Sequence, residues 1–216
     1  MFGVDPLIII LGLGALGLAP FVIMMVTSYV KIVVVTSLIR NALGVQQVPP
    51  AIVMNGLAII LSIFIMAPVY MKMEDLYLKT ALPSSPAALE VIKALYDATP
   101  PLREFLIRNA DESTIRGLMV TAKRIWPKDQ HETISRNNLL IIIPAFTITE
   151  LTKSFQIGFL LYLPFVAIDL VVSNILLAMG MMMVSPMTIS LPFKLLLFVT
   201  LDGWLKISQG LMLSYR

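Results

Sequence analysis

Apolar and polar positions in this chain are segregated by region instead of being interleaved. Residues 6–30 contain no charged side chain, and neither do residues 41–71. Each run exceeds the roughly 20 residues with which a helix crosses a bilayer core about 30 Å thick, so each predicts a hydrophobic helix. Residues 154–193 carry a single charge, Asp169. As one helix that stretch would extend about 60 Å, twice the bilayer core, which argues against a single straight pass. The break is expected between residues 179 and 186, where Gly180 frees the backbone and Pro186 forbids continuation, with Pro192 repeating the interruption. The pattern therefore predicts a hairpin: a third helix over residues 139–179, bent at Pro144 and Pro164, and a fourth over residues 189–213.

The middle of the chain is different. Nineteen of its twenty-nine charged residues, ten basic and nine acidic, fall in residues 72–136. Helix-start signals punctuate this segment: Ser85 before Pro86, followed by Leu89, Ile92, Lys93 and Tyr96 at helical spacing, then Thr99 before Pro100 and Asp111 before Glu112. No alternating strand pattern occurs. The expected fold is all-α, with a hydrophobic helical pair over residues 1–71, a polar helical central domain over residues 72–138, and a hydrophobic hairpin with a methionine-rich turn over residues 139–216. A segment of about 65 residues buries too little surface alone, so the central domain is expected to lean on neighbours.

Composition strengthens the membrane reading. Apolar residues are 58% and charged residues 13% of the chain, against roughly 45–50% and about 25% in soluble domains. No Lys or Arg precedes the first apolar run, so that run is expected to be retained and not cleaved as a signal peptide. Lys31 and Arg40 are expected in a short first connection, which the positive-inside rule assigns to the cytoplasm. Four spans would then put both termini and the central domain outside, with the turn at residues 179–194 inside. The net charge of +3 is too small and too interspersed for nucleic acid, and the absence of cysteine removes disulfides and thiolate metal sites.

Catalytic chemistry finds no support. Gly12, Gly14 and Gly17 spell G-x-G-x-x-G, but inside an apolar helix and without the acidic residue some twenty positions on, so close helix approach explains them better than a dinucleotide. His131 is the sole histidine and reads as a solvated surface residue. No spacing pairs a nucleophile with a base. The expectation is a non-enzyme without cofactor or metal.

The charges outside the middle are more informative, because an ionised group at mid-membrane costs about 2.5–3.5 kcal/mol. Glu150 with Lys153, and Asp202 with Lys206, stand at helical spacing for local pairing. Asp169 and Lys194 have no local partner; they are candidates for pairing across helices or subunits, or for lining a wet passage. Met179, Met181, Met182, Met183 and Met187 form the densest methionine cluster. Lipid contact, loose packing or a thioether metal site are open readings, and so is a deformable gasket formed when soft side chains at a hairpin turn repeat around a ring.

Two blocks carry a family resemblance. TSYVKIVVVTSLIRNALGVQQVPP at residues 27–50 with GLAIILSIFIMAP at 56–68, and FQIGFLLYLPFVAIDLVVSNILLAMGMMMVSP at 155–186 with ISLPFKLLLFVTLDGW at 189–204, resemble the export-gate subunits of type III secretion. These are called SctR in injectisomes and FliP in flagella. Well over half the chain is covered; the middle matches loosely, through PLREFL at 101–106. The retained N-terminus and Lys31 in SYVKI favour the injectisome branch.

The resemblance implies a pore-forming and gating subunit that conducts unfolded secreted proteins across the bacterial inner membrane. It implies a five-copy ring of this chain, joined by the T (FliR-type) and S (FliQ-type) subunits in a helical cone, largely on the periplasmic side and in contact with membrane lipids. It further implies that Met181, Met182 and Met183 close the channel, and that Glu150 and Lys194 meet between adjacent protomers. Asp169 is given a packing or polar-network role among these contacts. Arg40, Asn41, Gln46 and Gln47 are expected to cap and cross-link helices at the bend before Pro49 and Pro50, or to touch a partner. The alternative is a small-solute or proton-coupled transporter that uses Asp169 and Lys194 as relay groups.

Overall fold

The structure is a computed structural model that describes residues 14, 17–18, 20–45, 48–80 and 96–216. Among these the regular elements are all helical: α1 (Tyr29–Ala42), α2 (Ala51–Thr80), α3 (Pro100–Asn109), α4 (Glu112–Ile125), a 3-10 segment (Lys128–Thr133), α5 (Leu139–Ala178), α6 (Pro186–Thr200) and α7 (Gly203–Leu213). Residues 20–25 are helical as well. The chain divides into two compact units, one of Met1–Val30 with Val69–Thr147, the other of Lys31–Pro68 with Ile148–Arg216.

In the first unit, α4 is built as amphipathic helices usually are. Asp111 is extended, and its carboxylate accepts from the Thr114 backbone N–H at 3.3 Å, capping α4. Hydrogen bonds from Ser113, and then from Thr114, hold the Asp111 carboxyl below its ordinary pKa. Lys123 and Arg124 occupy the last turn, where cations complement the helix dipole. Ile115 and Ala122, seven apart on one face of α4, pack with Ile134, Ile141 and Ala145, flanked by Leu118, Met119 and Trp126. Phe105 of α3 leans on Phe146, ring centroids 5.8 Å apart.

Several local expectations change here. Pro100 opens α3, but the Thr99 hydroxyl donates to the Tyr96 carbonyl at 2.7 Å and does not cap the helix. His131 is half-buried, its Nε2 3.1 Å from the Trp126 carbonyl, so it is tied to the chain instead of standing free in solvent. Ser85, Pro86, Leu89, Ile92 and Lys93 lie outside the described residues.

The second unit contains α6, α7, nearly all of α1 and the greater parts of α2 and α5. α5 is helical through both Pro144 and Pro164 and ends within a residue of its expected limit. Gly158 permits a close approach to α1, since a Cβ there would collide with the Leu38 side chain. The connection was expected to hold Lys31 and Arg40; both instead lie inside α1. A lysine enters an apolar helix when a carboxylate from another helix meets it, and the loop-charge argument for sidedness therefore does not apply to these two residues. The described residues between α1 and α2 are 43–45 and 48–50, where Gly44 turns with φ 78°.

The expected fourth helix is broken. Pro192 sits within α6 without ending it, and α6 and α7 meet at 58°. Asp202 adopts left-handed φ 51° at the corner, and Gly203 fits where a Cβ would strike the Phe198 ring. Trp204 seals the corner edge-on against Phe198, 5.1 Å between centroids.

Among the described residues α2 and α5 are each long and apolar enough to cross a membrane, and the bent α6–α7 pair is a third candidate. Only 22% and 17% of the most apolar stretches of α2 and α5 are buried within the chain. A helix apolar on all sides and left uncovered requires lipid or other helices around it.

Candidate functional site

The hairpin between α5 and α6 ends in a tip whose shape is set by the main chain. Gly180 takes φ 72°, the Met181 N–H donates to the Leu176 carbonyl at 2.9 Å, and the Gly180 N–H donates to the Leu177 carbonyl at 3.0 Å. This is a Schellman closure, which uses glycine because the left-handed position penalises a Cβ. Pro186 then starts α6, where its missing N–H costs no helical bond. Onto this frame the sequence places soft apolar side chains: Met182 is 82% exposed and Met183 fully so, while Met179, Met181 and Met187 are also exposed.

Beneath the tip lies a polar cluster. Lys194 Nζ is 2.6 Å from Asp169 Oδ2 and donates to the Ala42 carbonyl, in the last residue of α1, at 3.1 Å. The Ser190 hydroxyl lies 2.5 Å from Asp169 Oδ1 and 3.2 Å from the Met187 carbonyl. Ser190 and Lys194 are buried, whereas the Asp169 side chain is 35% exposed. Asp169 and Lys194, without local partners in the sequence, thus pair across helices. Their four-residue spacing from Ser190 to Lys194 puts both α6 donors on one face, towards α5.

A second cluster is sealed. Lys31 Nζ stands 3.0 Å from Glu150 Oε1, both side chains being almost wholly buried. It also lies 3.8 Å from the Tyr215 ring centroid and donates to the Ser214 hydroxyl at 3.5 Å. The Tyr215 hydroxyl donates to Glu150 Oε2. Cation, carboxylate, phenol and aromatic face are therefore enclosed together: the phenol hydrogen-bonds Glu150 Oε2, Oε1 faces the Lys31 ammonium as an ion pair outside hydrogen-bond geometry, and only Ser214 at the edge of the cluster is exposed.

Within the chain, then, Glu150 and Lys194 belong to different clusters. Arg40 is half-buried in the last turn of α1, its Nε buried without a hydrogen-bond partner among the described residues, and Asn41 is exposed. Gln46 and Gln47 lie outside the described residues. So does Gly12, while a Cβ added at Gly14 or Gly17 would meet nothing within 4 Å among the described residues, so no close helix approach is seen at either. Sequence reasoning missed Ser190, Ser214 and Tyr215. The available signal was indirect: Lys31 in an apolar run needs a carboxylate and further donors or acceptors, but local spacing cannot name partners so far along the chain.

Residues 12–211 match the FliP family. The chain belongs to that family. This FliP-family chain is 51% identical over 211 residues to the Yop proteins translocation protein R of Yersinia pestis, covering 98% of this chain and 97% of that protein. It is 49% identical over 200 residues to virulence protein YscR of Salmonella typhimurium, with coverage of 93% and 92%. It is 42% identical over 212 residues to the harpin secretion protein HrcR of Erwinia amylovora, with coverage of 98% and 97%. The family read from the two sequence blocks is thus the family found, and its relatives are named for translocation, virulence and harpin secretion.

Proposed function

We propose that this FliP-family protein is a pore-forming and gating subunit of a type III export apparatus, through which unfolded secreted proteins cross the bacterial inner membrane. Five copies form a ring with T-type and S-type subunits, and each copy contributes Met181, Met182 and Met183 to an axial constriction. The observation that carries this reading is the hairpin tip: a backbone-closed turn presenting adaptable thioether side chains that stand exposed among the described residues. Methionines repeated around an axis fill irregular space without one fixed shape, so they close on themselves and part around a threading chain.

Further support comes from the apolar surface. An open groove of about 510 Å³ runs along residues 167–176 of α5 and past Ile189 and Phe193 of α6, with a wholly apolar lining. Sister subunits and lipid would cover it. Glu150 and Lys194 of adjacent protomers are proposed to meet in the ring, which requires each to exchange or share its partner within the chain. No residue is assigned a catalytic task.

The test replaces Met181, Met182 and Met183 with alanine in the assembled complex and follows release of small solutes from vesicles. Leakage at unchanged complex yield is expected. Wild-type permeability in intact complexes would remove the gate from these residues.

A further inference from the structure

We infer that Asp169 and Ser190 form a latch that positions the methionine tip, making them positioning residues for the gate. The inference rests on the reading of Met181, Met182 and Met183 as that gate.

The hairpin's two arms need a fastening. Above Asp169 on α5 and Ser190 on α6, Val172 and Leu176 are buried, but beyond Leu176 the hairpin carries the exposed methionines Met179, Met182, Met183 and Met187, so side-chain packing holds the arm and little of the tip itself. The main-chain bonds of the turn fix its local shape but are internal to it, with donors and acceptors within a few residues of one another. They do not determine where the turn stands over the arms.

That constraint comes from Asp169. Its two oxygens take different partners on the opposite arm: Oδ1 accepts from the Ser190 hydroxyl at 2.5 Å and Oδ2 receives Lys194 at 2.6 Å. Two contacts one helical turn apart on α6 fix both its height and its rotation against α5, which one contact would not. Ser190 also touches the Met187 carbonyl, coupling the latch to the first turn of α6. Lys194 adds the Ala42 carbonyl, so the same cluster ties the hairpin to the end of α1. A purely cohesive role would suit a sealed cluster better; Asp169 is 35% exposed, and among the described residues this is the side-chain ion pair nearest the tip.

The test uses the assembled complex, with partner subunits free of cysteine. Because this chain contains no cysteine, Met183→Cys gives a single attachment point for a nitroxide spin label. In this background Ser190→Ala and Asp169→Asn are compared with the labelled parent, and Ser190→Thr serves as the conservative control that keeps the hydroxyl. The label is expected to become more mobile in Ser190→Ala and Asp169→Asn and to return to parental mobility in Ser190→Thr. Without the label, the first two variants should raise solute leakage several-fold at unchanged complex yield. Parental mobility in Ser190→Ala would overturn the latch; that substitution removes one hydroxyl, so it decides the matter whatever happens to the assembly of Asp169→Asn. A mobile label with wild-type leakage would leave the positional coupling intact and reject the methionine gate on which it acts.

Discussion

The two charge clusters of the second unit solve one problem in different ways. Around Lys31 and Glu150 both charged groups are enclosed, and an aromatic face and a phenol complete the shell. Around Asp169 and Lys194 the lysine is buried but the carboxylate reaches the surface. The enclosed cluster can only be removed at a high cost, because a lone buried charge finds no water. The half-open one retains a route to solvent for its anion. The difference teaches that burial of charge here serves cohesion in one place and adjustable placement of a neighbouring turn in the other.

The largest effect should therefore follow from Lys31→Met, which strands Glu150 and should destabilise the protein by about 3–5 kcal/mol, read as a shifted denaturation midpoint in detergent. Pairing Lys31→Glu with Glu150→Lys should recover part of that loss within one chain. Glu150→Lys combined with Lys194→Glu instead tests the proposed contact between protomers, through recovery of ring yield. Recovery in only one of the two double variants would show which partner Glu150 keeps on assembly.

Asp169→Asn should cost less, about 1–3 kcal/mol, since Lys194 keeps the Ala42 carbonyl and the amide still accepts from Ser190. A loss as large as that of Lys31→Met would erase the contrast between the two clusters.

The smallest effect is expected far from either cluster. Asp111 has a folded-state pKa below its ordinary 3.8, so its capping contribution is present above that value and disappears as pH falls through the depressed one. Asp111→Ala should slightly reduce helicity at neutral pH, and the difference from wild type should vanish in acid by circular dichroism.

Much of the helix content was legible because it is written locally. The charge-free run at residues 41–71 announced α2, the singly charged run at 154–193 announced α5, Gly180 and Pro186 announced the hairpin, and Asp111 before Glu112 announced α4. What failed to show was whatever depends on meeting at a distance. Lys31 and Arg40 look like loop residues until Glu150 from α5 supplies a reason for a lysine inside α1. The break at Asp202 was hidden because its cause is tertiary: the Phe198 ring lies where a Cβ on residue 203 would go, and Trp204 closes over it. Of the candidate site, the methionines were visible by composition and Asp169 and Lys194 by their isolation. Ser190 and Tyr215 gave no warning, since a serine and a tyrosine in apolar helices are commonplace until a charge faces them.

The Schellman closure at Gly180 has one last consequence. Since the bonds that draw this corner run from amide to carbonyl, the outline of the loop is independent of what residues 181 to 183 carry beyond their β-carbons. Leucine, alanine or methionine there would upholster the same scaffold. Any change that such replacements produce can then be attributed to bulk and polarisability, with the underlying geometry held constant.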